Sequence, residues 1–165
     1  MTGGTAEDVV VRLGELAVRR GSGVLVTLGL GSCVAVMLHD RQTGTGGLAH
    51  VLLPSRSPGR ESGRPARFAD QAVPLLVAEM QRAGAGTSGV AARLVGGATM
   101  FAQLMPRGAV HMGERNVLAC RQALEEAGIP IVGEAVGGEV GRSLWFDVAQ
   151  GTVTVRSVGR DLLTL

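Results

Sequence analysis

Cys33 and His50 are the two side chains of this sequence whose types and surroundings could support nucleophilic chemistry. Cys33 follows a Gly-x-Gly-Ser turn at residues 29–32, where backbone amides can point at a developing oxyanion. β-Branched-rich runs at residues 33–39 and 48–53 predict a hairpin. If its register sets Cys33 opposite His50, the thiol and the imidazole lie about 5 Å apart. Other registers are equally open, and a buried structural thiol is the alternative for Cys33.

The remaining cysteine and histidines have interpretations that require no catalytic role. Cys120 shares a predicted helical face with Leu124, which is typical of core filling. His39 ends a strand, where we expect a solvated turn residue. His111 precedes a predicted helix and is either a loop histidine or a substrate contact. None of these residues has the spacing of paired metal ligands, so we expect no metal and no cofactor.

Composition excludes several classes of protein. All 16 basic residues are arginine, and the absence of lysine rules out a P-loop NTPase, a Schiff-base enzyme and a Ser-Lys dyad. Only four aromatic residues and scattered arginines argue against nucleic-acid binding. The chain has 165 residues, of which 45% are apolar, so we expect a single domain spanning 1–165 with its core at about 20–158.

Membrane insertion and export are not expected. The uncharged stretch at residues 21–38 contains four glycines and several polar residues, which favours buried strands over a membrane span. The acidic N-terminus does not resemble a secretory signal, and two cysteines 87 residues apart do not form a disulfide framework. We therefore expect a cytoplasmic protein.

Hydrophobic patterning predicts an α+β fold in layers. The order of elements is strands, helix, strand, helix, strands, without regular βαβ alternation. Residues 24–28, 33–39 and 48–53 are predicted to form one antiparallel meander, and residues 55–65 an exposed, mobile loop. A helix ends near Gly84; it begins near Ala72 with Pro74 in its first turn, or follows a separate turn at 68–73. The other predicted elements are a helix at 114–127 and strands at 90–95, 130–135, 143–148 and 152–157.

Five sequence blocks resemble the bacterial chemoreceptor glutamine deamidases of the CheD family. They occur in the order and spacing of that family, from about Val24 to Arg156. The blocks are TLGLGSCV at 27–34, GGLAHVLLP at 46–54, GGATMF at 96–101, GERN at 113–116 and GGEVGR at 137–142. The first two contain the cysteine, histidine and threonine of the family, which fall here on Cys33, His50 and Thr27.

The resemblance implies a protein-glutamine deamidase that converts glutamines in the cytoplasmic helical bundle of chemotaxis receptors to glutamate. Cys33 would be the nucleophile and form a thioester, and His50 would be its general base. Thr27 would hydrogen-bond the second imidazole nitrogen and fix its tautomer. Amides of the turn near Gly31 and Ser32 would form the oxyanion hole.

The same resemblance implies a fold and an alternative function. The fold would be a layered sandwich of mixed, largely antiparallel sheets with two main helices, similar to the cysteine hydrolase domain of cytotoxic necrotizing factor. The alternative is a non-catalytic adaptor that binds receptors and the CheC phosphatase. A shallow groove beside the loop at 55–65 would accept a glutamine that projects from a helix.

Overall fold

The computed structural model describes residues 7–55 and 64–165, which form ten strands and two α-helices. The strands are Val9–Val10 (β1), Leu16–Arg20 (β2), Val24–Leu30 (β3), Val34–Asp40 (β4), Thr45–Val51 (β5), Val90–Gly96 (β6), Ile131–Val136 (β7), Arg142–Asp147 (β8), Thr152–Ser157 (β9) and Leu163–Thr164 (β10). The helices are Ala69–Arg82 (α1) and Met112–Glu126 (α2). Within the described residues, neither helix is long and apolar enough to cross a membrane.

The strands form two five-stranded sheets. We call the sheet with the order β1-β3-β8-β9-β10 the outer sheet, and the sheet with the order β2-β5-β4-β6-β7 the central sheet. The pairs β1-β3 and β6-β7 are parallel and the other pairs are antiparallel. The predicted α+β sandwich of mixed, largely antiparallel sheets with two helices is therefore confirmed.

The central sheet lies between the helices and the outer sheet, and its strand β4 is accordingly apolar on both faces. Val34 and Val36 belong to the apolar cluster that contains the buried residues of both helices. Ala35 and Met37 point the other way, into the cluster that contains Phe146 of the outer sheet. This continuous apolar run is typical of a strand that is covered on both sides.

The predicted meander is only partly correct. Strands β4 and β5 pair as a hairpin, but β3 belongs to the outer sheet and pairs with β1 and β8. The register of β3 shifts after Thr27, and Gly29 adopts a positive φ of 68°. The glycine turn thus moves the chain from one sheet to the other instead of closing a hairpin.

Helix α1 begins earlier than either prediction, at Ala69, so Pro74 lies inside it. The entry is fixed by Phe68, which is buried and forms a bridge to Leu53, and by the Ala69 amide, which donates to the Leu53 carbonyl. Burial of the first turn outweighs the hydrogen bond that proline cannot donate. Helix α2 starts two residues before its predicted position.

Three short strands were not predicted, namely β1, β2 and β10. Val11, which follows β1, is buried in the core between the sheets, so the core extends before the predicted start near residue 20. Most of the predicted loop at 55–65 lies outside the described residues.

Candidate active site

The β4-β5 hairpin does not adopt the register that sets Cys33 opposite His50. Ala35 pairs with His50 and Asp40 with Thr45, so the register is displaced by two residues. The connecting turn sets this register: the Asp40 carboxylate accepts hydrogen bonds from the Gln42 amide and the Thr43 hydroxyl. A shift of two keeps the side chains on the same face. Cys33 and His50 are therefore diagonal neighbours.

His50 is held in place by the segment that follows β1. The His50 amide donates to the Glu15 carbonyl, and the His50 carbonyl accepts from the Gly14 amide. The His50 Nδ1 atom lies 3.3 Å from the Val11 carbonyl oxygen. Because a carbonyl oxygen only accepts, this contact requires the proton on Nδ1 and leaves Nε2 as a free base.

Thr27 acts on the same carbonyl oxygen. Its Oγ1 donates to Val11 over 3.1 Å, and the side chain is fully buried. The described side-chain hydrogen bonds of Thr27 and His50 thus end on one shared acceptor, whereas the resemblance predicted a direct bond between Thr27 and the imidazole. Thr27 orients the carbonyl that orients the ring.

Cys33 is half-buried at the end of the central sheet, where its backbone is fixed by the 96–98 turn. The Cys33 carbonyl accepts from the Gly97 amide at 2.8 Å, and the Gly31 carbonyl accepts from the Ala98 amide at 2.9 Å. Gly96 has a φ of 115°, and a Cβ built on it would overlap the Cys33 carbonyl oxygen. Only glycine permits this close approach.

Burial favours the neutral forms of both the Cys33 and the His50 side chain. It raises the pKa of the Cys33 thiol, while the residue's own backbone N–H lowers it to a smaller extent. Burial also lowers the pKa of His50, against smaller upward contributions from the Val11 carbonyl and the Glu15 charge. The described contacts include no hydrogen bond between the thiol and the ring. Burial of both groups therefore disfavours an ion pair between a Cys33 thiolate and a His50 imidazolium in the free protein.

A pocket of about 280 Å³ opens beside this turn and is lined by Ser32, Met100, Met105, His111 and other residues of 98–113. His111 therefore lies where it could contact a substrate. The predicted groove beside the 55–65 loop falls on residues outside the described part of the chain.

Two other predicted residues have structural roles. Cys120 is fully buried in the helix-side core, as predicted, and burial raises its pKa to about 12. The prediction that His39 is solvated is wrong. His39 is 9% exposed, its Nε2 lies 2.9 Å from the Val148 carbonyl oxygen, and its ring meets Phe146 edge-on. Within residues 7–55 and 64–165, no group of three or more His, Cys, Asp or Glu side chains could hold a metal ion.

Comparison with known proteins identifies the family. The family model described as "CheD chemotactic sensory transduction" matches residues 52–157. The chain belongs to the CheD family. A probable chemoreceptor glutamine deamidase CheD of Desulforamulus reducens is 40% identical over 155 residues, which are 94% of this chain and 93% of the relative. The Moorella thermoacetica protein of that name is 41% identical, with 94% of both chains covered. The Geobacter metallireducens CheD 2 is 44% identical over 95% of this chain and 98% of its own.

These alignments include the candidate site. The first covers 155 of 165 residues, so only about ten lie outside it, and residues 27–50 lie within. Membership of the CheD family therefore applies to the segment that contains Cys33, His50 and Thr27, as well as to the stretch matched by the family model.

Asn116 of this CheD chain is a site residue that the sequence reasoning did not single out. It is fully buried on α2, and its Nδ2 donates to the Ser32 and Leu52 carbonyls, at 2.9 Å each. The side chain therefore ties the turn before Cys33 to the end of β5 beyond His50. A polar residue on the helical face of Cys120 is the signal that could have revealed it, because a buried amide needs partners.

Replacing Asn116 with Ala should remove both bonds and leave two carbonyl oxygens without their donor. We expect a loss of about 2 kcal/mol in the free energy of unfolding and slower alkylation of Cys33. Chemical denaturation and iodoacetamide labelling measure the two effects. Gln122→Ala, which removes an exposed amide of the same helix, is the control and should change neither. Equal stability of Asn116→Ala and Gln122→Ala would contradict the role assigned to Asn116.

The protonation states predict the pH dependence of labelling at Cys33. Iodoacetamide labelling should rise with pH through a midpoint above that of an ordinary thiol, because burial favours the neutral form of Cys33. In Cys120→Ala all label is on Cys33, and in Cys33→Ala the native protein should take up almost none. A midpoint well below pH 8 would instead show a preformed ion pair with His50.

Proposed function

We propose that this CheD protein is a deamidase that converts glutamine side chains of chemotaxis receptors to glutamate. The observation that carries the proposal is the placement of Cys33 and His50 on one face, with Nδ1 of the ring committed to the Val11 carbonyl. Its support is the relatives named probable chemoreceptor glutamine deamidases. The predicted cytoplasmic location stays a prediction.

In the proposed reaction, His50 Nε2 takes the proton of the Cys33 thiol as sulfur attacks the amide carbon. The tetrahedral oxyanion collapses, the C–N bond breaks, and His50 donates the proton to the departing ammonia. A thioester remains. Water then attacks it, with His50 accepting a proton, and the C–S bond breaks to release glutamate and restore the thiol. No cofactor enters this sequence of steps.

The oxyanion would bind in the turn before β4. Among the described hydrogen bonds, none is donated by the backbone amide of Ser32 or Cys33 to another residue. Amides that donate to no other residue, next to the nucleophile, suit a developing negative charge. Gly31 permits the tight approach of the turn to Met100.

The receptor would dock on the exposed apolar residues of 100–112. Phe101 is 72% exposed and Leu104 is 83% exposed, and Met100, Met105 and Met112 are also accessible. This surface adjoins the pocket that Ser32 lines, so a helix lying on it would present a glutamine near Cys33.

The second candidate is an adaptor that binds receptors and the CheC phosphatase without chemistry. The same apolar surface favours it, because a docking surface needs no nucleophile. Cys33→Ala separates the two functions, since a pure adaptor would keep its full effect on receptor signalling.

The catalytic proposal predicts that Cys33→Ala releases no ammonia from a receptor fragment and that His50→Ala loses about 10²-fold or more. Mass spectrometry should show a gain of about 1 Da per converted amide after incubation of the fragment with the wild type or with Cys120→Ala, and no gain with Cys33→Ala. Cys120→Ala is the matched control and should retain activity. Ammonia release by Cys33→Ala would refute the mechanism.

The lowered pKa of His50 determines the acid limb of the pH profile. Only the neutral ring can accept the thiol proton, so kcat/KM should stay high down to a pH below 6.5, the ordinary imidazole pKa.

Thr27→Val keeps the shape of the side chain and removes the hydroxyl. It should lower the rate about fivefold, which corresponds to the net free energy of one hydrogen bond. A rate and an acid limb both unchanged in Thr27→Val would contradict the orienting role of Thr27.

A further inference from the structure

A second pocket opens on the outer-sheet side of the turn that leads to Cys33. Its volume is about 420 Å³, and Gly29 and Ser143 line it together with Arg142, Arg156 and Arg160. The lining thus includes three arginines and no carboxylate, so the pocket is positively charged. A bound anion would reduce the repulsion between these like charges.

Arg142 anchors the pocket to the candidate active site. It pairs with Leu30 in the outer sheet, and its Nη1 donates to the carbonyls of Gly96 at 3.3 Å and Gly137 at 2.8 Å. Burial and the nearby charge of Arg160 lower the pKa of Arg142. The guanidinium is therefore fixed in place beside a like charge.

The other two arginines are exposed and available for binding. Arg156 lies over the Trp145 ring, 5.1 Å from its centroid, which holds the side chain without neutralising it. The described ion pairs use Arg64, Arg82 and Arg121, so in the described part of the chain none neutralises this pocket.

We propose that this arginine pocket binds an acidic side chain of the protein substrate. The proposal rests on the proposed deamidase function, because the target glutamine must lie at Cys33 when the pocket is filled. Guanidinium groups bind carboxylates through paired N–H donors, and Arg156 and Arg160 are the exposed arginines that line this pocket.

The distance along the chain limits where this acidic residue lies. Gly29 and Cys33 are four residues apart, so their Cα atoms are at most about 14 Å apart. A helix rises about 1.5 Å per residue, and the same span covers about nine residues of a helical substrate. The acidic side chain therefore lies within about two to three helical turns of the modified glutamine, on the same helix face.

The test is the double substitution Arg156→Gln/Arg160→Gln, assayed with a soluble helical fragment of a chemotaxis receptor. We expect KM for the fragment to rise about fivefold or more, with a smaller change in kcat, and the salt dependence of KM to weaken. The matched control is Arg19→Gln/Arg41→Gln, which removes two exposed arginines at the opposite end of the central sheet and should change KM less than twofold. Equal KM values for the two double variants would overturn the proposal.

Two further measurements identify the ligand. The first is binding of the fragment to Cys33→Ala, with and without the pocket substitutions. It tests the pocket even if the wild type releases no ammonia, so the pocket proposal and the deamidase proposal can be contradicted independently. The second uses fragments with single Glu→Gln or Asp→Asn changes near the target glutamine. At one position, the change should weaken binding as much as the pocket substitutions do. If inorganic phosphate fills the pocket while no such fragment binds more weakly, the pocket is a small-anion site and the proposal is wrong.

Discussion

The candidate site depends on one backbone oxygen, the carbonyl of Val11. It accepts the Thr27 hydroxyl from the outer sheet and faces Nδ1 of His50 from the central sheet. The same segment also bonds both backbone groups of His50, through Gly14 and Glu15. The ring is therefore fixed by an N-terminal strand segment that runs along the seam between the sheets. Displacing Val11 would remove the hydrogen bond that fixes the tautomer of His50. It would also weaken the contact between the two sheets.

A carbonyl orienter has a chemical consequence that a carboxylate would not have. It fixes the tautomer of His50 but carries no full charge, so it stabilises a protonated His50 less than a carboxylate would. Burial disfavours that cation further. Cys33 is half-buried, and its burial favours the thiol over the thiolate.

The sequence draws attention to the candidate site residues but not to the groups that hold them. Cys33, His50 and Thr27 stand out by residue type and by resemblance, and the start and stop signals at Gly113, Gly128 and Pro130 placed helix α2 within two residues. The Val11 carbonyl left no signal, because every residue carries one and a two-residue strand has no period. The predicted sheet membership of β3 was wrong, and the sequence left the hairpin register open, for a related reason. Both depend on a positive-φ glycine and on side-chain bonds within a turn, which a pattern of apolar residues does not encode.

The glycine turn before Cys33 shows why polar contacts rather than apolar packing must hold this end of the sandwich. Glycine-rich turns have few side chains to interdigitate, so their position depends on hydrogen bonds to the backbone. Asn116 binds the Ser32 carbonyl from the helix layer, and the 97–98 amides bind the Gly31 and Cys33 carbonyls. Arg142 reaches across from the outer sheet to the Gly96 carbonyl. All three layers therefore contact the few residues around Cys33, and a shift of any layer would displace the Cys33 sulfur.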